Sequence, residues 1–233
     1  MTLKYYGHSC FGIETMGKHL LFDPFITHNP LAKDVDINTI PADFVIITHA
    51  HMDHMADAEV VLKRTGARLI SQFEIVDYFE KKGIKNAVPQ NVGGVKKYDF
   101  GNMRAVNAIH SSSFTDDNGN RIYGGVAQGF VIYNTEGCFY FAGDTGLTLD
   151  MQLIPMLCPA LDFAILPIGG RFTMDYKDAV ICAEFIQCNT IIGCHFDTWE
   201  PLKLDHEKAV KAFEAEEKEL ILPEINGEIE LSA

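Results

Sequence analysis

His49-Ala50-His51-Met52-Asp53-His54 follows directly on the apolar run Phe44-Val45-Ile46-Ile47-Thr48. The run reads as a buried strand, and Val60, Val61 and Leu62, beyond Asp57, open a helical pattern. Three imidazoles and a carboxylate are therefore crowded into one strand-to-helix turn. Neutral imidazole and carboxylate are ligands for zinc and other first-row metals. The spacing is too tight for all four groups to serve one ion, so the motif points to two. A lone histidine in a loop is ordinarily a solvated side chain; three with an aspartate, packed behind a buried strand, are not.

Working outward, three more apolar runs end in a similar residue. The run from Met103 to Ile109 stops at His110. Cys138-Phe139-Tyr140-Phe141 leads into Ala142-Gly143-Asp144-Thr145-Gly146, and Thr190-Ile191-Ile192-Gly193-Cys194 stops at His195. Layered α/β cores carry functional groups on the loops at one end of their strands, so these residues are placed to converge. The N-terminal strands are expected at 2–6, 10–15 and 18–22, the first ending at Gly7-His8 and the third entering Asp23-Pro24-Phe25. Residues 26–41 read as loop. Helices are expected at 55–65, 73–82, 148–157, 175–187 and 205–217, with a strand at 67–71 and a hairpin around Glu136-Gly137. Residues 111–125 read as a polar loop with Asp116-Asp117-Asn118-Gly119-Asn120 at its tip. A last strand pair is expected near 219–222 and 227–231, turning at Asn226-Gly227. With no linker or low-complexity segment, residues 1–233 are expected to form a single domain.

Composition narrows the function classes. The apolar fraction of 47% is ordinary for a globular chain. Nineteen basic against 32 acidic residues give a formal charge of −13, which two divalent cations would partly offset. That balance argues against a general nucleic-acid binder, which needs basic surface. No basic-then-apolar leader opens the sequence and no apolar run reaches the ~20 residues of a membrane span, so the expected location is cytoplasmic. The six cysteines (Cys10, Cys138, Cys158, Cys182, Cys188 and Cys194) include no C-x-x-C pair and fit buried free thiols. On a strand, Cys194 faces away from His195 and is set aside as a ligand.

His49-x-His51-x-Asp53-His54, with His110, Asp144 and His195 downstream, resembles the metallo-β-lactamase superfamily. More narrowly, the chain resembles its small metal-dependent hydrolase branch, near the ascorbate-6-phosphate lactonase-like proteins. Gly7-His8-Ser9, Asp23-Pro24-Phe25 with Asn29-Pro30, Pro167-Ile168-Gly169-Gly170, Phe172-Thr173-Met174 and His195-Phe196-Asp197-Thr198 carry the likeness over essentially the whole chain. The resemblance implies an α/β fold, a four-layer αββα sandwich. It implies that His49, His51 and His110 hold one metal, that Asp53, His54 and His195 hold a second, and that Asp144 bridges both. Zinc is the first choice of metal, with Mn, Ni or Fe as alternatives. Arg171 stands where close relatives carry histidine, and Asp175 where glycine is common.

The expected function is hydrolysis of an ester, lactone or phosphodiester bond of a small molecule, anionic ones included, by a metal-bound hydroxide. Asp53 would also steer that hydroxide. His8 is a candidate substrate contact or proton donor, or else a group that orients a ligand; Asp23 is expected to orient a ligand imidazole. Arg171 is a candidate grip for a substrate anion, and 111–125 a candidate lid. His19, His28 and His206 are expected to be bystanders. Alternatives are phosphodiesterase action on lipid or nucleic acid and a non-catalytic metal-binding or regulatory protein. A diiron oxidoreductase ranks low, because such relatives carry an acidic residue at the place of His51. The oligomeric state, including a homo-oligomer, stays open.

Overall fold

Alternation along the strands sets the layers. Successive side chains of a strand face opposite sides, and here both sides are apolar. In β1 (Thr2–Gly7), Leu3 and Tyr5 enter one apolar cluster and Tyr6 another. In β3 (Lys18–Phe22) and β4 (Phe44–Ile46), Leu20, Phe22, Phe44 and Ile46 take the first side, Leu21 and Val45 the second. Such strands are buried on both faces. The computed structural model, which describes residues 1–116 and 118–231, shows what covers each face.

The first sheet contains β1, β2 (Cys10–Thr15), β3, β4, β5 (Arg68–Ser71) and β6 (Ala87–Pro89) in that order. β1 to β3 pair antiparallel and β3 to β6 parallel. The second sheet repeats this plan. β7 (Val95–Tyr98), β8 (Gly101–Asn107), β11 (Gln128–Asn134) and β12 (Gly137–Phe141) run antiparallel. β12, β13 (Phe163–Pro167), β14 (Thr190–Cys194) and β15 (Glu219–Ile221) run parallel. Between β8 and β11 the chain forms a small hairpin of β9 (Ser113–Thr115) and β10 (Arg121–Tyr123). The last strand, β16 (Glu228–Glu230), pairs with β1.

The inner faces of the two sheets share one cluster that includes Phe11, Phe22, Phe44, Phe100, Phe130, Phe139, Phe141 and Phe163. Phe22 of the first sheet stacks on Phe141 of the second with centroids 4.5 Å apart. Outside the first sheet lie α1 (Met52–Met55), α2 (Ala58–Thr65) and α3 (Phe73–Lys81); outside the second lie α4 (Ile154–Leu157), α5 (Tyr176–Phe185) and α6 (His206–Glu214). The result is the expected αββα sandwich. Asp175 caps α5 by accepting the Lys177 and Asp178 amides.

Two local expectations need correction. The strands near 219–222 and 227–231 do not pair. β15 joins β14 in the second sheet and β16 joins β1 in the first. Asn226-Gly227 is a turn signal, but here it carries the chain from one sheet to the other. The polar loop 111–125 contains the β9–β10 hairpin; Asp117 at its tip lies outside the described residues. The six cysteines are free, and Cys194 lies in the cluster between the sheets. No helix among the described residues is long and apolar enough to cross a membrane.

Phe141 is fully buried against both sheets, so Phe141→Ala leaves a cavity at the junction. Urea unfolding is expected to show a loss of about 3–5 kcal/mol; an unchanged midpoint would mean that the sheets are held together elsewhere.

Candidate metal centre

The carboxyl ends of strands from both sheets meet at one edge of the sandwich. Three of the candidate residues lie three positions beyond their strands: His49 after β4, His110 after β8 and Asp144 after β12. His195 follows β14 directly. The approach is close. Gly143 has φ +63°, and a Cβ there would lie 2.8 Å from the Thr48 side chain. A Cβ on Gly169 would lie 1.9 Å from the His195 carbonyl oxygen, so only glycine fits. His8, Asp23 and His195 take left-handed backbone, with φ of 58°, 43° and 57°. Such strain in residues with a Cβ gathers at functional sites.

Donors converge in three overlapping groups among the described residues. His49, His51 and His110 form one; His54, His195 and Asp53 form another together with His8; Asp23, which sits behind the rings, forms a third with His49 and His54. Within the first, His49 Nε2 and His110 Nε2 lie 3.0 and 3.2 Å from His51 Nδ1. Imidazole nitrogens at ~2.0–2.1 Å from a tetrahedral ion stand about 3.3 Å apart, so the spacing fits a cation at their centre. Asp144 lies between the groups. Its Oδ2 is 2.9 Å from His195 Nε2, 3.2 Å from His54 Nε2 and 3.7 Å from His110 Nε2. Asp144 Oδ1, His54 Nε2 and His195 Nδ1 are buried without a hydrogen-bond partner. Buried polar atoms are rarely left so, and two of the three belong to the donor set itself.

Neighbouring groups fix which ring nitrogen faces inward. Asp23 accepts the Thr48 amide and hydroxyl at 2.8 and 2.7 Å, and its Oδ2 is 2.8 Å from His54 Nδ1. His49 Nδ1 lies 3.0 Å from the Thr48 hydroxyl, and His51 Nε2 lies 3.2 Å from the Ser111 hydroxyl. With those nitrogens protonated and donating outward, the opposite ones are free to ligate. Asp23 lies where a group orienting His54 would stand, and the Thr48 and Ser111 hydroxyls stand likewise beside His49 and His51, contacts for which a hydroxyl has no sequence signature.

His8 is fully buried, with Nδ1 2.8 Å from Thr198 Oγ1 and Nε2 3.2 Å from Asp53 Oδ2. Its carbonyl accepts the His195 amide at 2.8 Å. Burial, then the nearby His195, pushes its pKa down to about 4. Burial also lowers His49, His51 and His110, keeping these rings in the neutral form that ligation needs. Burial disfavours charge on His54 too, but Asp144 and Asp23 outweigh it and raise its pKa well above the usual value. Burial works against ionised Asp53 and Asp144; the hydrogen bond from His8 and the imidazoles of His195 and His54, respectively, hold them ionised.

Arg171 stands apart from this network. It is exposed, with its guanidinium 5.5 Å from the Phe172 ring centroid, on the loop that abuts His195 through Gly169. His206 pairs with Asp197 at 2.6 Å, and His19 is 4.0 Å from Glu14 at the surface. Trp199 is a neighbour that the sequence did not advertise. It lies 5.0 Å from the His8 ring and 6.1 Å from Phe25.

A family model described as "Beta-lactamase superfamily domain" matches residues 2–195, a span that holds all seven candidate ligands and stops at the last. The chain belongs to the metallo-β-lactamase superfamily. Within the superfamily it falls in the metal-dependent hydrolase branch. A relative from Flavobacterium johnsoniae named as a UPF0173 metal-dependent hydrolase is 50% identical over 231 residues, covering 99% of this chain and 100% of that protein. One of the same name from Christiangramia forsetii is 48% identical, with the same coverage. A solved structure described as a novel metallo hydrolase from Ignicoccus hospitalis is 33% identical, with a TM-score of 0.86 over 98% of this chain and 97% of that one.

The opposed burial and charge effects predict an ordered titration. In chelator-treated protein at neutral pH, histidine-ring NMR is expected to find His54 protonated and His49 neutral. Asp144→Asn removes a carboxylate from His54 and should lower its pKa; no movement would mean that Asp144 is not its partner.

Proposed function

We propose that this chain is a dinuclear hydrolase acting on an ester, lactone or phosphodiester bond of a small molecule, with residues 1–233 working as one domain. His49, His51 and His110 would hold one divalent cation. Asp53, His54 and His195 would hold the second, with Asp144 shared between them. Zinc suits this nitrogen-rich set, and Mn, Ni or Fe accept the same ligands. The observation that carries the reading is the position of Asp144, whose Oδ2 is within 3.7 Å of histidines from both groups while Oδ1 has no partner. When bound, the cations supply Lewis acidity and lower the pKa of a water from ~15.7 toward ~7.

The protein's own groups position and hold protons. His54 would hold its cation through Nε2 while its Nδ1–H donates to Asp23 Oδ2. Asp53, partly exposed and kept ionised by His8, orients the attacking water. His8, fully buried, braces Asp53 through Nε2 and is fixed from behind by Thr198. Arg171 is free to swing from Phe172 and pair with an anionic group of the substrate. The β9–β10 hairpin is the candidate lid, rooted where Ser112 Oγ accepts the Ala50 amide at 3.1 Å.

Metal analysis with a hydrolysis screen over phosphodiesters, lactones and β-lactams tests the reading. Turnover should disappear on chelation and return with added zinc; full activity in verified metal-free protein would overturn it. Arg171→Ala is expected to raise KM for an anionic substrate about tenfold with kcat little changed, the measure of one charge-assisted hydrogen bond. An unchanged KM would remove Arg171 from the substrate site.

A further inference from the structure

Trp199 is the single tryptophan of the chain and is 39% exposed. It belongs to none of the three apolar clusters. Its neighbours are instead residues of the site. The indole meets the His8 ring edge-on at 5.0 Å and stands 6.1 Å from Phe25, which itself meets His8 at 5.7 Å. His8 in turn contacts Asp53 and lies 4.1 Å, ring to ring, from His195. The indole therefore touches the second donor group at His8 and is one side chain away from Asp53 and His195, with part of its surface in water.

The turn that presents it is rigid. Asp197 has φ of 59°, its amide donates to the Leu202 carbonyl, and the Leu202 amide donates back to the Trp199 carbonyl. The Asp197 carboxylate accepts the Leu204 amide and pairs with His206. Thr198 is fixed by its hydroxyl, 2.8 Å from His8. A large, rigid aromatic surface left open beside polar reactive groups is the usual makeup of a ligand subsite, with low ordering cost on binding.

We propose that Trp199 is a specificity-determining residue whose open indole face receives an aryl or alkyl group adjoining the bond that is cut. The inference rests on the dinuclear hydrolase reading and names its substrate class: an ester, lactone or phosphodiester with an apolar substituent next to the reacting centre. Arg171, on the neighbouring loop, serves any anionic group further out.

Phenylphosphonate and methylphosphonate, two non-hydrolysable anions that differ only in the apolar group, test it on the zinc-loaded protein. Calorimetry reads affinity, and the fluorescence of the lone indole reads contact. Phenylphosphonate is expected to bind about tenfold tighter and to change Trp199 fluorescence, whereas methylphosphonate leaves it unaltered. In Trp199→Ala the two should bind alike, and Trp199→Phe should restore most of the preference. Equal affinity in the unsubstituted protein, or a preference that survives in Trp199→Ala, overturns the assignment of Trp199 alone. Absence of binding by either phosphonate to zinc-loaded protein overturns the dinuclear reading and this inference with it.

Discussion

The stacking of Phe22 on Phe141 joins the two sheets at the place where the centre depends on them. Phe22 is followed at once by Asp23, and Phe141 three residues later by Asp144. Asp23 orients His54 from one side and Asp144 faces it from the other. Neither sheet holds the donor set alone. His49, His51, Asp53 and His54 come from the end of β4, while His110, Asp144 and His195 come from the second sheet. The spacing of the nitrogens is thus a property of how aromatic side chains fill the interval between sheets. Close-packed interiors relax only partly, so that interval is fixed to within a fraction of a side chain.

Burial then shapes the electrostatics. Imidazoles taken out of water resist charge, and four of those around the centre are pushed toward the neutral form. His54 is the exception, because two carboxylates face it. The cluster carries polar atoms short of partners: Asp144 Oδ1 has none, and His54 Nε2 has only the Asp144 carboxylate, 3.2 Å away and out of line for a hydrogen bond. Burial of that kind is costly unless something compensates. Cations between the groups would compensate both at once, which ties the folding of this edge to its chemistry.

Much of this was legible in the sequence. Buried strands are continuous apolar runs, and a histidine or aspartate just past such a run is conspicuous; His49, His110, Asp144 and His195 all follow that pattern. The layered fold followed from the resemblance and agrees with the two-sided burial of the strands. What escaped depended on long-range pairing or on side-chain direction. Nothing local in Asn226-Gly227 says that the strands on either side belong to different sheets. Strands of three residues, such as β9 and β10, carry a single central apolar residue each, Phe114 and Ile122, too little alternation to reveal them. Trp199 follows a polar turn and gave no sign of its contact with His8, since 191 positions separate them in the chain. Arg171 was expected to face the site; its guanidinium lies over Phe172, and among the described residues it makes no contact with the donor groups.

The left-handed backbone of His8, Asp23 and His195 has an evolutionary corollary. Each conformation costs on the order of 1–3 kcal/mol for a residue with a Cβ, but glycine would escape it only by emptying a buried position and, at Asp23, by leaving the Thr48 amide without its acceptor. A library of variants sorted only for heat resistance would therefore find little to gain by relaxing these three backbones, and the strain would persist through such sorting together with the centre.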